Sequence, residues 1–250
     1  MRNESAYLSR ISTEWDLVFQ AHNGPPAEVS AAQTRLMARY AGAVHRYLLG
    51  ALRDPDLAAE LDQEFALRFL RGDLHRADPT RGRFRDFLKR ALRNLMLDHL
   101  RKRRRQSAVS IDSDDVPEPI APEQELPDFD RQFTESWRRE LMAQAWAALS
   151  RHQEQTGQPL HTVLQIRSRN PGKRSPELAV LLSAELGKPI SSAWVREALF
   201  RARELFVGAL LDGVRASLVI PSRELIVEEL TELGLLDYCR PSLKRRGLVD

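Results

Sequence analysis

The chain has 250 residues, 42% hydrophobic and 29% charged, with 38 Lys plus Arg against 35 Asp plus Glu and a net charge of +3. These proportions exclude a collagen-like or wholly disordered polymer, and no apolar run approaches the roughly 20 residues that a membrane-spanning helix needs. One cysteine, Cys239, excludes an internal disulfide and a cysteine-based zinc site, and the polar, acidic first residues are unlike a signal peptide, so a soluble cytoplasmic protein is expected.

The balanced total hides an uneven distribution. Residues 81–105 carry 11 basic and 2 acidic side chains, for +9, while residues 106–130 carry 8 acids and no Lys or Arg, for −8. The acidic block also holds Pro117, Pro119, Pro122 and Pro127, which disfavour a continuous helix or a central strand. It therefore reads as a linker, 106–130, between two domains, 1–105 and 131–220, with an extension over 221–250. Two readings of the linker stay open: a solvated spacer, or an anionic strap that folds back over the neighbouring basic segment.

Apolar residues recur at three and four throughout, which predicts an all-α fold. Thr13 caps a helix from Glu14 that stops near Asn23-Gly24-Pro25-Pro26. A second helix is expected over about 30–53 with Leu36, Tyr40, Val44, Tyr47 and Leu48 inside. A third runs from Pro55 to Leu70 with Leu57, Leu61, Phe65 and Phe69 inside. The fourth carries Phe84, Phe87, Leu88, Ala91, Leu92 and Leu95 on one face. Its other face carries Arg85, Lys89, Arg90, Arg93 and Asn94, and it ends in Arg101-Lys102-Arg103-Arg104-Arg105.

In the second domain, helices are expected over about 130–152 and 160–169. Ser175-Pro176-Glu177 then opens a helix with Leu178, Leu181, Leu182 and Leu186 inside, which ends at Gly187-Lys188-Pro189. Ser191 caps the next helix, with Val195, Leu199 and Leu205 inward and Ser192, Trp194, Arg196, Glu197 and Arg201 outward; Trp194 is as well suited to packing as to contact. Arg203 suits either a phosphate contact or a surface ion pair. The two capped helices form a helix-turn-helix candidate. In the extension, 222–236 reads as an amphipathic helix with Leu225, Ile226, Leu230 and Leu233, better suited to packing than to a partner.

No catalytic constellation emerges. The six histidines are scattered, and P-loop, GxGxxG and GxSxG patterns are missing. Glu60 and Glu64 share a helical face, yet no ExxH motif completes a di-metal site, so an acidic surface is favoured over a metal enzyme; no cofactor is expected. The basic residues of 83–105, held in a stripe opposite a Phe- and Leu-rich face, suit a phosphate backbone, because each neutralised phosphate releases counterions.

Three segments resemble bacterial sigma-70-type factors. The run Glu60-Leu61-Asp62-Gln63-Glu64-Phe65 through Leu70 is similar to that family's (E/D)-L-x-Q-E-x-F-x-x-L signature. Arg83-Phe84-Arg85-Asp86-Phe87-Leu88 with Ala91 through Arg101 resembles its F-x-x-(W/F)-L segment and the A-x-N-x-x-x-D-x-x-R that follows, and Val195-Arg196 through Arg203 resembles its V-R-x-x-L-x-R-A-R. The two-domain layout resembles the extracytoplasmic-function (ECF) group. The resemblance implies a promoter-specificity subunit that binds core RNA polymerase through Glu60, Asp62, Gln63 and Glu64. It implies −10 DNA contacts from Arg83, Arg85, Lys89, Arg90, Arg93, Asn94 and Arg101. It further implies −35 contacts from Ser192, Trp194, Arg196 and Arg201, and an anti-sigma factor or other regulator as a further partner. A stand-alone DNA-binding regulator of the same fold, which does not engage polymerase, is the competing expectation.

Overall fold

The computed structural model describes residues 20–71, 83–109, 126–218 and 221–249. The described residues form helices and no strand: α1 (Pro26–Leu52), α2 (Pro55–Leu70), α3 (Phe84–Val109), α4 (Leu126–Thr156), α5 (Leu160–Arg169), α6 (Ser175–Leu186), α7 (Ser192–Ala216), α8 (Arg223–Glu232) and α9 (Leu236–Arg245). The fold is all-α, as expected. None of these helices is long and apolar enough to cross a membrane.

Local chemistry accounts for the boundaries. Pro26 occupies the first turn of α1, where a missing N–H costs nothing, so the helix begins ahead of the expected Ser30. The Asp54 carboxylate accepts from the Asp56 and Leu57 N–H groups, both at 3.1 Å, and with Pro55 opens α2 at the expected residue. Up to residue 19, the helix predicted from Glu14 lies outside the described residues; Gln20 is helical and a turn follows at 21–22, close to the expected stop. Most of the acidic linker's residues also lie outside the described ones, but α3 continues to Val109 and α4 starts at Leu126, so helix enters both ends of that segment. The extension holds a helix that the periodicity did not suggest: α9 follows a turn at Gly234 (φ 64°) and carries Pro241 inside it.

The chain divides into two compact units, one of Met1–Glu140 with Arg215–Leu225, the other of Leu141–Val214 with Ile226–Asp250. In the first unit, α1, α2, α3 and the start of α4 share an aromatic core. Tyr40 of α1 stacks on Trp137 of α4 with centroids 5.1 Å apart and planes within 3°. Phe84 of α3 lies 5.1 Å from Tyr40 and 6.3 Å from Trp137, while Tyr47 meets Phe133 edge-on at 5.2 Å. Beside this cluster, Arg46 donates to Glu140 at 2.6 Å. The first N–H of α3, on Phe84, donates to the Ser217 carbonyl at 3.1 Å, which satisfies one of the donors that a helix start leaves open.

The second unit packs the rest of α4 with α5, α6, α7 and the extension. Its core includes Leu149, Val163, Leu178, Leu182, Val195, Ala202, Phe206, Leu210, Leu230 and Leu243. Trp146 meets Phe206 at 5.0 Å and His161 at 5.6 Å, and Phe206 meets Tyr238 at 6.0 Å. Two leucines expected inside this unit are instead exposed, as is Leu225 near the start of α8, at 36%. Leu205 is 39% exposed, because ten residues after Val195 it falls about 80° short of the inward stripe at 3.6 residues per turn; Phe206 takes that place. Leu181 is 36% exposed, and Ala179 is buried beside Leu178 and Leu182.

Trp137 is 1% exposed and touches aromatic rings from α1, α3 and α4, so its loss leaves a large void. Trp137→Ala is expected to cost about 3–5 kcal/mol in denaturant unfolding. Trp137→Phe keeps a ring there and removes an indole N–H that has no partner among the described residues, so it should cost much less.

Candidate nucleic-acid interface

In the first unit, core burial of Phe84, Leu88, Leu92, Leu95 and Met96 fixes the rotation of α3. Opposite that face, Arg90, Arg93, Asn94 and Arg101 are exposed; Lys102 is exposed on the same side as Phe84, and Arg83 is half-buried just before the helix. Arg90 Nε donates to its own helix at the Asp86 carbonyl, 3.3 Å away, and Arg101 pairs with Asp98 at 3.6 Å. Lys89 pairs with Asp130 at the start of α4 at 3.1 Å, so one acid of the predicted linker meets one cation of the basic segment. Arg85 differs from its neighbours. It is only 5% exposed, because one position after Phe84 the helix turns it toward the core, and DNA could reach it only if the unit rearranged.

The four acidic-face residues of α2 also separate. Glu60 and Gln63 are exposed. Asp62 is half-buried and bonded to the His45 ring of α1; burial raises its carboxyl above the usual aspartate range, against the lowering effect of that bond. Glu64 accepts from Arg68 Nε at 2.8 Å, which holds its carboxyl below the usual glutamate range, and Arg68 also reaches Asp98 of α3 at 3.2 Å. Glu60 and Gln63 are thus the outward part of that face, whereas Asp62 ties α2 to α1 and Glu64 pairs within α2 with the arginine that reaches α3. No group of three or more His, Cys, Asp or Glu that could hold a metal lies among the described residues.

In the second unit, α6 and α7 flank the five-residue turn 187–191. Gly187 takes the left-handed conformation (φ 63°) that ends a helix without a side-chain clash. Ser183 Oγ accepts from the Ile190 N–H at 2.9 Å and ties the turn back to α6. Ser191 Oγ accepts from the Trp194 N–H at 3.1 Å and caps α7 as expected. The predicted contact residues occupy two flanks of α7. Ser192 and Arg196 lie on one, Trp194 and Arg201 on the other, roughly 150° from Arg196 at 100° per residue. Arg196 and Arg201 are exposed, Ser192 and Trp194 half-buried, and Arg201 pairs with Glu197 at 3.0 Å.

Sequence reading missed what borders the Arg196 flank. Arg196, Phe200 and Arg203 repeat at four and three, and opposite them α9 places Tyr238, Pro241 and Arg245 around a groove of about 420 Å³. Arg245 lies over the Phe200 ring, 5.0 Å from its centroid. Glu204 accepts from Ser242 at 2.5 Å and from Arg245, with Arg246 at 3.8 Å. Burial works to raise the Glu204 carboxyl, but these donors together hold it below the usual glutamate range. Burial pushes the Cys239 thiol up to about 11, so it stays protonated within the α9 contact.

Residues 36–106, from α1 through most of α3, match the family described as Sigma-70 region 2, a match that covers less than a third of the chain. No curated protein and no solved structure shows significant similarity to the chain.

The Glu204 cluster has a pH signature. A carboxyl held below its ordinary value of 4.5 contributes stability above that pH, which is lost as pH falls through the lowered folded-state value. Acid unfolding of the chain should therefore steepen below about pH 4.5, and Glu204→Gln should flatten that limb while lowering stability at neutral pH. An unchanged acid limb in the variant would remove the cluster from the stability balance.

Proposed function

We propose that the chain is a sigma factor of the ECF type that binds core RNA polymerase and directs promoter-specific initiation, with no catalysis of its own. The observation that carries this reading is the Sigma-70 region 2 match, which falls on three helices whose last presents a cationic face opposite its packed face. In this role Glu60 and Gln63 of α2 meet polymerase. Arg83, Arg90, Arg93, Asn94 and Arg101 hold the −10 strand through its phosphates, with Lys89 joining them when it leaves Asp130. Helix α7 enters the major groove at the −35 element with Ser192, Arg196, Trp194 and Arg201 on its two flanks. The domains of this role are the region-2-like part over 1–105, the acidic linker over 106–130 and the helix-turn-helix part over 131–220. The partners are core RNA polymerase, promoter DNA and a regulator such as an anti-sigma factor, within the cytoplasm.

Two surface variants separate the two tasks. Arg90→Ala with Arg93→Ala should weaken DNA binding on all sequences and lower the salt slope of log K by about 1 to 2. Glu60→Lys with Gln63→Lys should reduce co-purification with core polymerase and leave the free protein's DNA binding intact. A double arginine variant with unchanged slope would remove α3 from the interface, and unchanged polymerase capture would remove α2 from docking.

A further inference from the structure

We propose that the extension helix α9 belongs to the DNA-binding surface, and that the groove between α7 and α9 holds the sugar-phosphate backbone beside the −35 element. This rests on the reading of α7 as a major-groove helix. The groove is lined by Arg196, Arg203 and Arg245 together with Phe200 and Tyr238, 50% and 45% exposed. Among the described residues, Arg196 and Arg203 make no ion pair or hydrogen bond, so two guanidinium groups stand available to an anion. The single acid on the lining, Asp237, is matched by Arg240 at 3.0 Å.

The occupant follows from where the groove lies. A helix seated in a major groove about 12 Å wide has phosphate rims along both flanks, so side chains at the helix flank meet backbone and not base edges. Arg196, Phe200 and Arg203 form such a flank, and α9 adds a second wall to it. Helix α9 with the following Arg246 carries Arg240, Lys244, Arg245 and Arg246 against Asp237 alone, a surplus that suits a polyanion. Guanidinium groups take phosphate through paired N–H donors, and exposed aromatic faces pack against the adjoining deoxyribose. Glu204 and the Phe200 ring hold Arg245 in place, so little side-chain freedom remains to be lost when a phosphate arrives.

The test is binding of the full-length protein to a short labelled duplex of random sequence over a salt series, since backbone contacts act on any sequence. Arg203→Ala, whose side chain anchors nothing among the described residues, should lower the salt slope by about 1 and weaken binding several-fold. Adding Arg245→Ala should lower the slope by up to about 1 more. Arg203→Lys should keep the slope. Unchanged slope and affinity in the Arg203 and Arg245 variants, with a loss in Arg201→Ala or Arg93→Ala, would overturn the role of α9 and leave the sigma reading intact. No loss in any of these variants would overturn both.

Discussion

The first unit depends on the aromatic cluster around Trp137. That indole stacks on Tyr40 and meets Phe84 and Phe133, so α1, α3 and α4 share one anchor. Stacked and tilted rings favour particular orientations, and this makes the cluster directional where aliphatic packing would not be. Its consequence for function is rotational. With Phe84, Leu88, Leu92 and Leu95 held inward, Arg90, Arg93 and Asn94 face outward together. The residues that match Sigma-70 region 2 end at 106, yet their core is completed by Phe133 and Trp137 from beyond the match.

The second unit applies the same logic to α7. Val195, Ala202, Phe206 and Leu210 bury one stripe, and the outward surface divides into an Arg201 flank and an Arg196 flank. The extension packs against α7 through Phe206–Tyr238 and the Glu204 cluster, beside the Arg196 flank. Under the proposed DNA-binding role, base contacts would come from the residues between the two flanks, and the α9 side would add backbone contacts beyond those of the Arg201 side.

Much of this was legible in the sequence, for reasons that differ by element. Asp54-Pro55 and Gln158-Pro159 are strong local signals, and α2 and α5 start where those residues put them. The amphipathic period of α3 identified its core but grouped Arg85 with the exposed arginines, although at 100° per residue it falls between Leu92 and Met96 inside the buried arc. Leu205 and Leu181 show the same weakness, because a hydrophobic residue within one position of a stripe reads as part of it. Helix α9 escaped notice because Pro241 and an abundance of charge obscure the spacing of Leu236, Cys239 and Leu243. Tertiary partners were beyond reach: nothing local to Asp62 announces His45, and nothing near Arg203 announces Tyr238 or Arg245.

The central claim is that this chain gives core RNA polymerase its promoter specificity, and transcription itself tests that claim most directly. Purified bacterial core polymerase would be supplied with upstream fragments from the protein's own genome, with and without the full chain, and transcript starts would be mapped. The account predicts starts at a small set of sites that share a −10 and a −35 element and appear only when the protein is present. Starts that are identical with and without it, under conditions where the protein binds DNA, would contradict the sigma reading and leave a DNA-binding regulator of the same fold.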